Sequence, residues 1–250
     1  MTEQLPDDLR RLLDEARAKV SDTSRIWAYS SRTYESQLFD RKGLVLGGTI
    51  SPFFLMNREP DEKVTIPPWN GVAAGTVLSR ARLLFLASAQ HDSGVETLKE
   101  WVPLLETLAK ANEGLLVVTN DFQNHTILDT LLVNNYKCVM DCAVVKQGGI
   151  SDDKLEKLYP KVSQRKEGLF RGSVKGTTQK ISELAREALP LFETVWVRRD
   201  ATVAIPAEGN HVWDDLLSEV ALITVGGESY DDFKQRFEII AQEISVSFCK

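Results

Sequence analysis

The sequence has few cysteines, and their spacing matches no motif in which they act together. Its 250 residues include three cysteines, Cys138, Cys142 and Cys249. The spacing of the first two fits neither a zinc ligand pair nor a Cys-x-x-Cys redox pair. We interpret them as small apolar residues that share one face of a strand, and we expect a reducing compartment.

Long apolar runs and an excess of positive charge are also missing. No run approaches the roughly 20 apolar residues that a membrane-spanning helix needs. The opening stretch "MTEQLPDDLRRLLDEARAKV" lacks the apolar region of a signal peptide. The formal net charge is -6 and the pI is about 5.3, whereas nucleic acid and anionic lipid require concentrated positive charge. We therefore expect an intracellular protein with no membrane span and no nucleic-acid partner.

The common nucleotide-binding and hydrolase motifs are absent from the chain. It contains no GxxxxGK[ST], GxGxxG, GxSxG or HExxH. The histidines, His91, His125 and His211, lie far apart, and we interpret them as surface or capping residues. Acidic pairs such as Asp231 and Asp232 open predicted helices, where carboxylates complement the helix dipole. The residues therefore predict no enzyme, no catalytic residue, no metal site and no cofactor.

Apolar periodicity predicts alternating strands and helices over the middle of the chain. Leucines at three- and four-residue spacing first indicate an amphipathic helix over residues 9–20, followed by a short strand at 25–30. The Gly- and Pro-rich residues 43–75 indicate strand fragments and long loops. Strand and helix then alternate, which predicts parallel strands joined by right-handed crossovers. These elements are a strand at "ARLLFLAS", a helix over 95–111, the strand "LLVV" at 115–118, a helix over 124–135 and the strand "CVMDCAVV" at 138–145.

The last third of the chain predicts a helix, a hairpin and a final strand and helix. "TTQKISELAREALPLF" at 177–192 has helical spacing, and "TVWVRRDATVAI" at 194–205 has two β-rich runs around a polar turn. A short helix follows "PAEGN", then the strand "VALITV" at 220–225 and an amphipathic helix that begins near Ser229.

The two predicted helices on either side of "LLVV" carry more apolar residues than one buried face requires. Two explanations are open. The additional apolar residues could flank a groove for an extended or helical peptide, or another layer of the protein could cover them. Periodicity alone favours the second explanation. The apolar positions are Trp101, Val102, Leu104, Leu105 and Leu108 in the first helix, and Ile127, Leu128, Leu131, Leu132 and Val133 in the second.

Six stretches, in order, resemble the group I chaperonins, the GroEL-type family. They are "GLVLGGTISPFFLMN", "WVPLLETLAKANEGLLVVTNDF", "ILDTLLVNN", "CAVVKQGG", "TVWVRRDATVAIPAEGN" and "VALITVGGESYDDFKQRFEIIAQEI". The resemblance implies an α/β fold of mixed type like the family's apical domain, with a three-layer β/α core, a β-hairpin and flanking helices. It also implies an apical-like polypeptide-binding domain over residues 46–214, with residues 1–45 and 215–250 as a remnant of the intermediate domain.

The family's ATP-binding equatorial domain has no counterpart among these stretches. The position of the family's catalytic aspartate, counted from the Gly-Gly turn, falls on Gln242. A neutral amide cannot supply the carboxylate that organises Mg²⁺ and the attacking water. The resemblance therefore implies a chaperonin-like protein that does not hydrolyse ATP.

The family's apical groove binds unfolded polypeptide, and its groove positions can be carried over to this sequence. They fall on Phe53, Phe54, Val102, Leu105, Leu128, Leu132, Val133 and Asn134. We expect serine at both Leu105 and Leu132 to leave folding intact and to abolish binding. The implied partner is unfolded or extended polypeptide; the alternative is a fixed protein partner, with the chain as a structural subunit or assembly factor of a larger complex. The expected compartment is the mitochondrial matrix or a bacterial-type cytoplasm.

Overall fold

The computed structural model describes residues 4–20, 25–30, 34–50, 54, 75–86, 94–119, 125–146, 186–198, 201–207 and 217–246. Within these ranges the chain has four α-helices and nine strands. The helices are α1 (Asp7–Lys19), α2 (Gly94–Lys110), α3 (His125–Tyr136) and α4 (Tyr230–Val246). The strands are β1 (Ile26–Ser30), β2 (Gln37–Gly47), β3 (Thr49–Ile50), β4 (Gly75–Leu86), β5 (Gly114–Thr119), β6 (Cys142–Lys146), β7 (Leu191–Arg198), β8 (Ala201–Pro206) and β9 (Ser218–Val225).

The described strands form one mixed sheet in the order β1-β9-β2-β8-β7-β4-β5-β6-β3. Neighbours β4, β5 and β6 run parallel, as do β1 and β9, and the other pairs are antiparallel. The predicted α/β fold class of mixed type is therefore confirmed. No helix in the described ranges is long and apolar enough to cross a membrane.

The predicted strand and helix alternation is confirmed around β5. The helix α2 connects β4 to β5, and α3 connects β5 to β6. Every residue of β5 is buried, which is expected of a parallel strand whose faces are both covered. The largest apolar cluster combines this strand with the inner faces of α2 and α3.

The first helix, β9 and the last helix share a second apolar cluster. Leu9, Leu13 and Ala16 recur along the buried face of α1, as the sequence predicts. They pack with Ile240 of α4 and with alternate residues of β9. The other residues of β9, such as Leu222, belong to a third cluster on the opposite face, so this strand too is buried on both sides.

The hairpin is confirmed, but the helix predicted before it does not reach its expected end. The strands β7 and β8 pair antiparallel, and β7 also pairs with β4. Leu191 and Phe192, predicted as helical, begin β7 instead. Pro190 precedes them, and a proline interrupts both the hydrogen bonding and the packing of a helix. Of the helix predicted over 177–192, the structure describes 186–192, where only Arg186–Ala188 forms a short 3-10 turn. Residues 177–185 lie outside the described residues. Most of the short helix predicted after "PAEGN" lies outside them as well.

The prediction that Cys138 and Cys142 share a strand face is wrong. Only Cys142 lies on β6, where it is buried, whereas Cys138 is exposed in the turn after α3. Its φ of 53° is left-handed, outside the extended range of a regular strand. The left-handed residue ends the helix and turns the chain into β6.

The long strand β2 lies between β9 and β8 and pairs with each of them over a different part of its length. Its first part, Gln37–Gly43, pairs with β9, and its second part, Leu44–Gly47, pairs with β8. Gly43 lies at the change of partner, where a Cβ atom would approach Ile205 Cδ1 to 2.9 Å. The absence of a side chain lets β8 and β9 meet there. The division into 1–45 with 215–250 and 46–214 remains a prediction.

Candidate functional site

The two helices that carry the predicted groove positions, α2 and α3, lie beside each other on the parallel strands. Trp101, Leu104 and Leu108 place the inner face of α2 in the main core. Leu105, one step round the helix, is also buried in that core. Val102, about 60° round the helix from Leu105, has 38% of its surface exposed.

The second helix divides its apolar residues in the same manner. Ile127 and Leu131 are buried against the strands, and Leu128 is 9% exposed at the edge of the same cluster. Leu132 is partly buried and packs against the cluster. Val133, a further 100° round the helix, is 50% exposed. Each helix thus fills the space beneath it with leucine and presents valine to the outside.

The predicted aromatic pair beneath the helices is only half within the described residues. Phe54 is buried in the same core cluster as Leu105 and Leu128, so it is not part of an outer surface. Phe53 lies outside the described residues. Of the predicted binding residues that the structure describes, Val102 and Val133 are the exposed apolar ones.

Asn134 is already engaged in its own helix. Its side-chain amide donates a hydrogen bond to the carbonyl oxygen of Thr130 at 2.9 Å. The backbone carbonyl oxygen of Asn134 accepts a hydrogen bond from the backbone N–H of Val139 at 3.0 Å. These bonds make Asn134 a residue of the helix end, in addition to the ligand-binding role that the resemblance implies.

Both helices end in the same hydrogen-bonded motif. After α2, the N–H of Glu113 bonds to the Leu108 carbonyl and the N–H of Asn112 to the Ala109 carbonyl. After α3, Val139 and Cys138 make the same two bonds, to Asn134 and Asn135. This is the Schellman motif, and its left-handed residue is Asn112 (φ 52°) in one case and Cys138 (φ 53°) in the other. The first motif leads directly into β5, and the second leads into β6 two residues later.

Two exposed apolar residues beyond the predicted set continue the surface of α3. Tyr136 is 59% exposed and Val139 is 55% exposed, and together with Val133 they form what we call the exposed row. In a Schellman motif the residue at Val139 usually packs on the residue that here is Asn134, which is polar. The row could have been predicted if Cys138 had been recognised as a left-handed turn residue.

A buried ion pair supports the turn between α2 and β5. The Glu113 carboxylate is buried and accepts hydrogen bonds from Arg82 Nε at 2.7 Å and from Arg82 Nη2 at 3.2 Å. Arg82 Nη1 also donates to the Leu189 carbonyl at 2.6 Å. Because the pair is bidentate, it fixes the end of α2 relative to β4 and to the chain before β7.

The described residues do not bring together a group suited to hold a metal ion. Among them, no cluster of three or more His, Cys, Asp and Glu side chains has the required arrangement. What α2 and α3 offer is apolar surface, and such surface interacts with other apolar groups by removing them from water.

Comparison with known proteins finds a distant relation to a chaperonin. No protein-family profile matches this chain. Chaperonin GroEL of Acholeplasma laidlawii (strain PG-8A) is 25% identical to it over 206 residues, which cover 81% of this chain and 34% of that protein. The chain therefore spans about a third of the length of this relative. This similarity, together with the mixed α/β fold, supports a chaperonin-like relationship.

Proposed function

We propose that this chain is a chaperonin-like protein without ATPase activity that binds apolar polypeptide segments at the surface of α2 and α3. The observation that carries the proposal is the exposure of Val102 and Val133 on two neighbouring helices. The exposed row adds Tyr136 at the end of α3 and Val139 in the turn that follows. Removing apolar surface from water contributes about 25 cal/mol per Å², so an apolar segment laid over these residues would gain free energy.

The absence of ATP hydrolysis is part of the proposal and rests on the resemblance. The position of the family's catalytic aspartate is Gln242, which is exposed on α4. An amide at that position cannot orient Mg²⁺ and water as a carboxylate does. Purified chain incubated with MgATP should release no phosphate above the rate measured without protein.

The proposed site can be tested by a double change of exposed residues, Val102→Ser with Val133→Ser. Both side chains are partly exposed, 38% for Val102 and 50% for Val133, so stability should fall by no more than about 1 kcal/mol per site. Suppression of aggregation of a denatured test protein should fall strongly. Tyr230→Ser, which changes a 68% exposed aromatic on α4, is the matched control and should have no effect. Undiminished suppression by the double variant would contradict the proposed site.

A fixed protein partner is the alternative occupant of the same surface. An exposed row of three apolar residues would suit a permanent interface as well as a transient one. Size-exclusion mass and purification from a native extract separate the two, because a fixed partner would elute with the chain in constant ratio. For either role we propose a reducing intracellular compartment, the mitochondrial matrix or a bacterial-type cytoplasm, where the exposed Cys138 would stay a free thiol.

A further inference from the structure

A buried amide lies where α3 would be expected to place an apolar residue. Ile127, Leu131 and Asn135 follow one another at four-residue spacing along the buried face of the helix. The first two are aliphatic and almost completely buried, and Asn135 is 6% exposed. Burial of an amide costs free energy unless it is hydrogen-bonded, so a partner is expected.

The amide bonds to the first residue of the next strand. Asn135 Oδ1 accepts the backbone N–H of Cys142 at 3.2 Å, and Cys142 lies fully inside the protein at the start of β6. The carbonyl oxygen of Asn135 accepts the N–H of Cys138 in the turn between them. One residue therefore ties together the end of α3, the turn and β6.

This hydrogen bond differs in kind from the aliphatic contacts of the same helix face. Apolar contacts are non-directional, so Ile127 and Leu131 would permit a small rotation or shift of α3 on the strands. A hydrogen bond loses strength when its angle or length changes. Leu132 and Val133 lie on the same helix within one turn of Asn135, so a rotation of α3 would also change the direction in which they point.

We propose that Asn135 is a positioning residue that holds α3 in the orientation required for polypeptide binding. The inference rests on the proposed function, and it adds a residue to which the resemblance assigns no role. It makes binding depend on a side chain that the bound polypeptide does not reach.

The test compares Asn135→Leu, which removes the acceptor, with Asn135→Asp, which keeps an oxygen at the same distance from the backbone. The probe is fluorescein-labelled α-lactalbumin, reduced and carboxymethylated so that it stays unfolded, and its affinity is measured by fluorescence anisotropy. Asn135→Leu should weaken binding roughly five- to tenfold, the loss expected for about one hydrogen bond. Asn135→Asp should restore most of the affinity. Hydrogen exchange of the Cys142 amide should be faster in the leucine variant than in the aspartate variant.

Each outcome bears on one claim. Wild-type affinity in folded Asn135→Leu, or an aspartate variant no better than the leucine variant, overturns the positioning role. If the leucine variant does not fold, Asn135→Ala takes its place in the same comparison. If the wild-type chain does not bind the probe, the proposed function fails, and the exchange rate of the Cys142 amide alone decides whether Asn135 holds α3 to β6.

Discussion

At the scale of single residues, the ends of α2 and α3 show what sequence patterns do and do not reveal. Both Asn112 and Cys138 adopt the left-handed backbone conformation. Asparagine tolerates this conformation, whereas cysteine does not do so readily. The apolar neighbours of Cys138 suggested a strand that begins there, but the strand begins four residues later at Cys142. Hydrogen bonds across the turn fix the left-handed conformation, and no periodicity encodes them.

The strain at this turn gives a stability prediction. Cys138→Gly should raise the free energy of unfolding by about 0.5–1 kcal/mol, because glycine adopts positive φ without a steric penalty. Asn112→Gly, in the same motif of α2, is the matched control and should give a smaller gain. Urea unfolding of both variants measures the difference. A destabilised Cys138→Gly would contradict the steric explanation.

The buried carboxylate next to Asn112 gives a second prediction. Glu113→Ala should lower the free energy of unfolding by about 3 kcal/mol, because it leaves Arg82 largely buried without its partner. Glu106→Ala is the matched control, since its ion pair with Lys110 is exposed at 3.6 Å and should contribute less than about 0.5 kcal/mol. Similar losses for the two variants in urea unfolding would show that the buried pair has no special role.

At the scale of elements, periodicity predicted most strands and helices and did not predict which apolar residues are exposed. The helices α2 and α3, the buried strand β5 and the hairpin are where the sequence places them. Leu105 is buried, so in contrast to the expectation from sequence, serine there should destabilise the fold. A polar hydroxyl in the core would cost both packing and hydrogen bonding. The exposed fraction depends on how closely two neighbouring helices approach, which one helix's pattern cannot encode.

The orientation of α3 can be tested with two alanine changes on opposite sides. Leu131→Ala should cost about 2–5 kcal/mol, because it leaves a cavity between α3 and the strands. Val133→Ala should stay within about 0.5 kcal/mol, because that side chain is half exposed. Thermal or urea unfolding measures both. Equal costs would mean that α3 is rotated relative to this structure.

At the scale of the whole molecule, the structure is a continuous sheet with a chaperonin-like sequence relation and an apolar surface on one pair of helices. Strand β2 pairs with β9, against which α1 and α4 pack, and with β8 on its other side. It therefore connects that part of the sheet to the part that carries α2 and α3. Alternation of elements predicted the parallel strands, whereas the mixed fold type and the choice of α2 and α3 came from the ordered resemblance. Which residues line the surface could be learned only from the structure. It shows that Val102 and Val133 are exposed, whereas the neighbouring leucines are buried or partly buried.

The central claim is that unfolded polypeptide contacts α2 and α3, and photo-crosslinking tests it most directly. A photoreactive side chain placed at position 133 of the intact chain should crosslink to unfolded, carboxymethylated α-lactalbumin in the absence of nucleotide. The same group at position 230, on the exposed start of α4, should crosslink little. No crosslink from position 133, or equal yields from the two positions, would contradict the account.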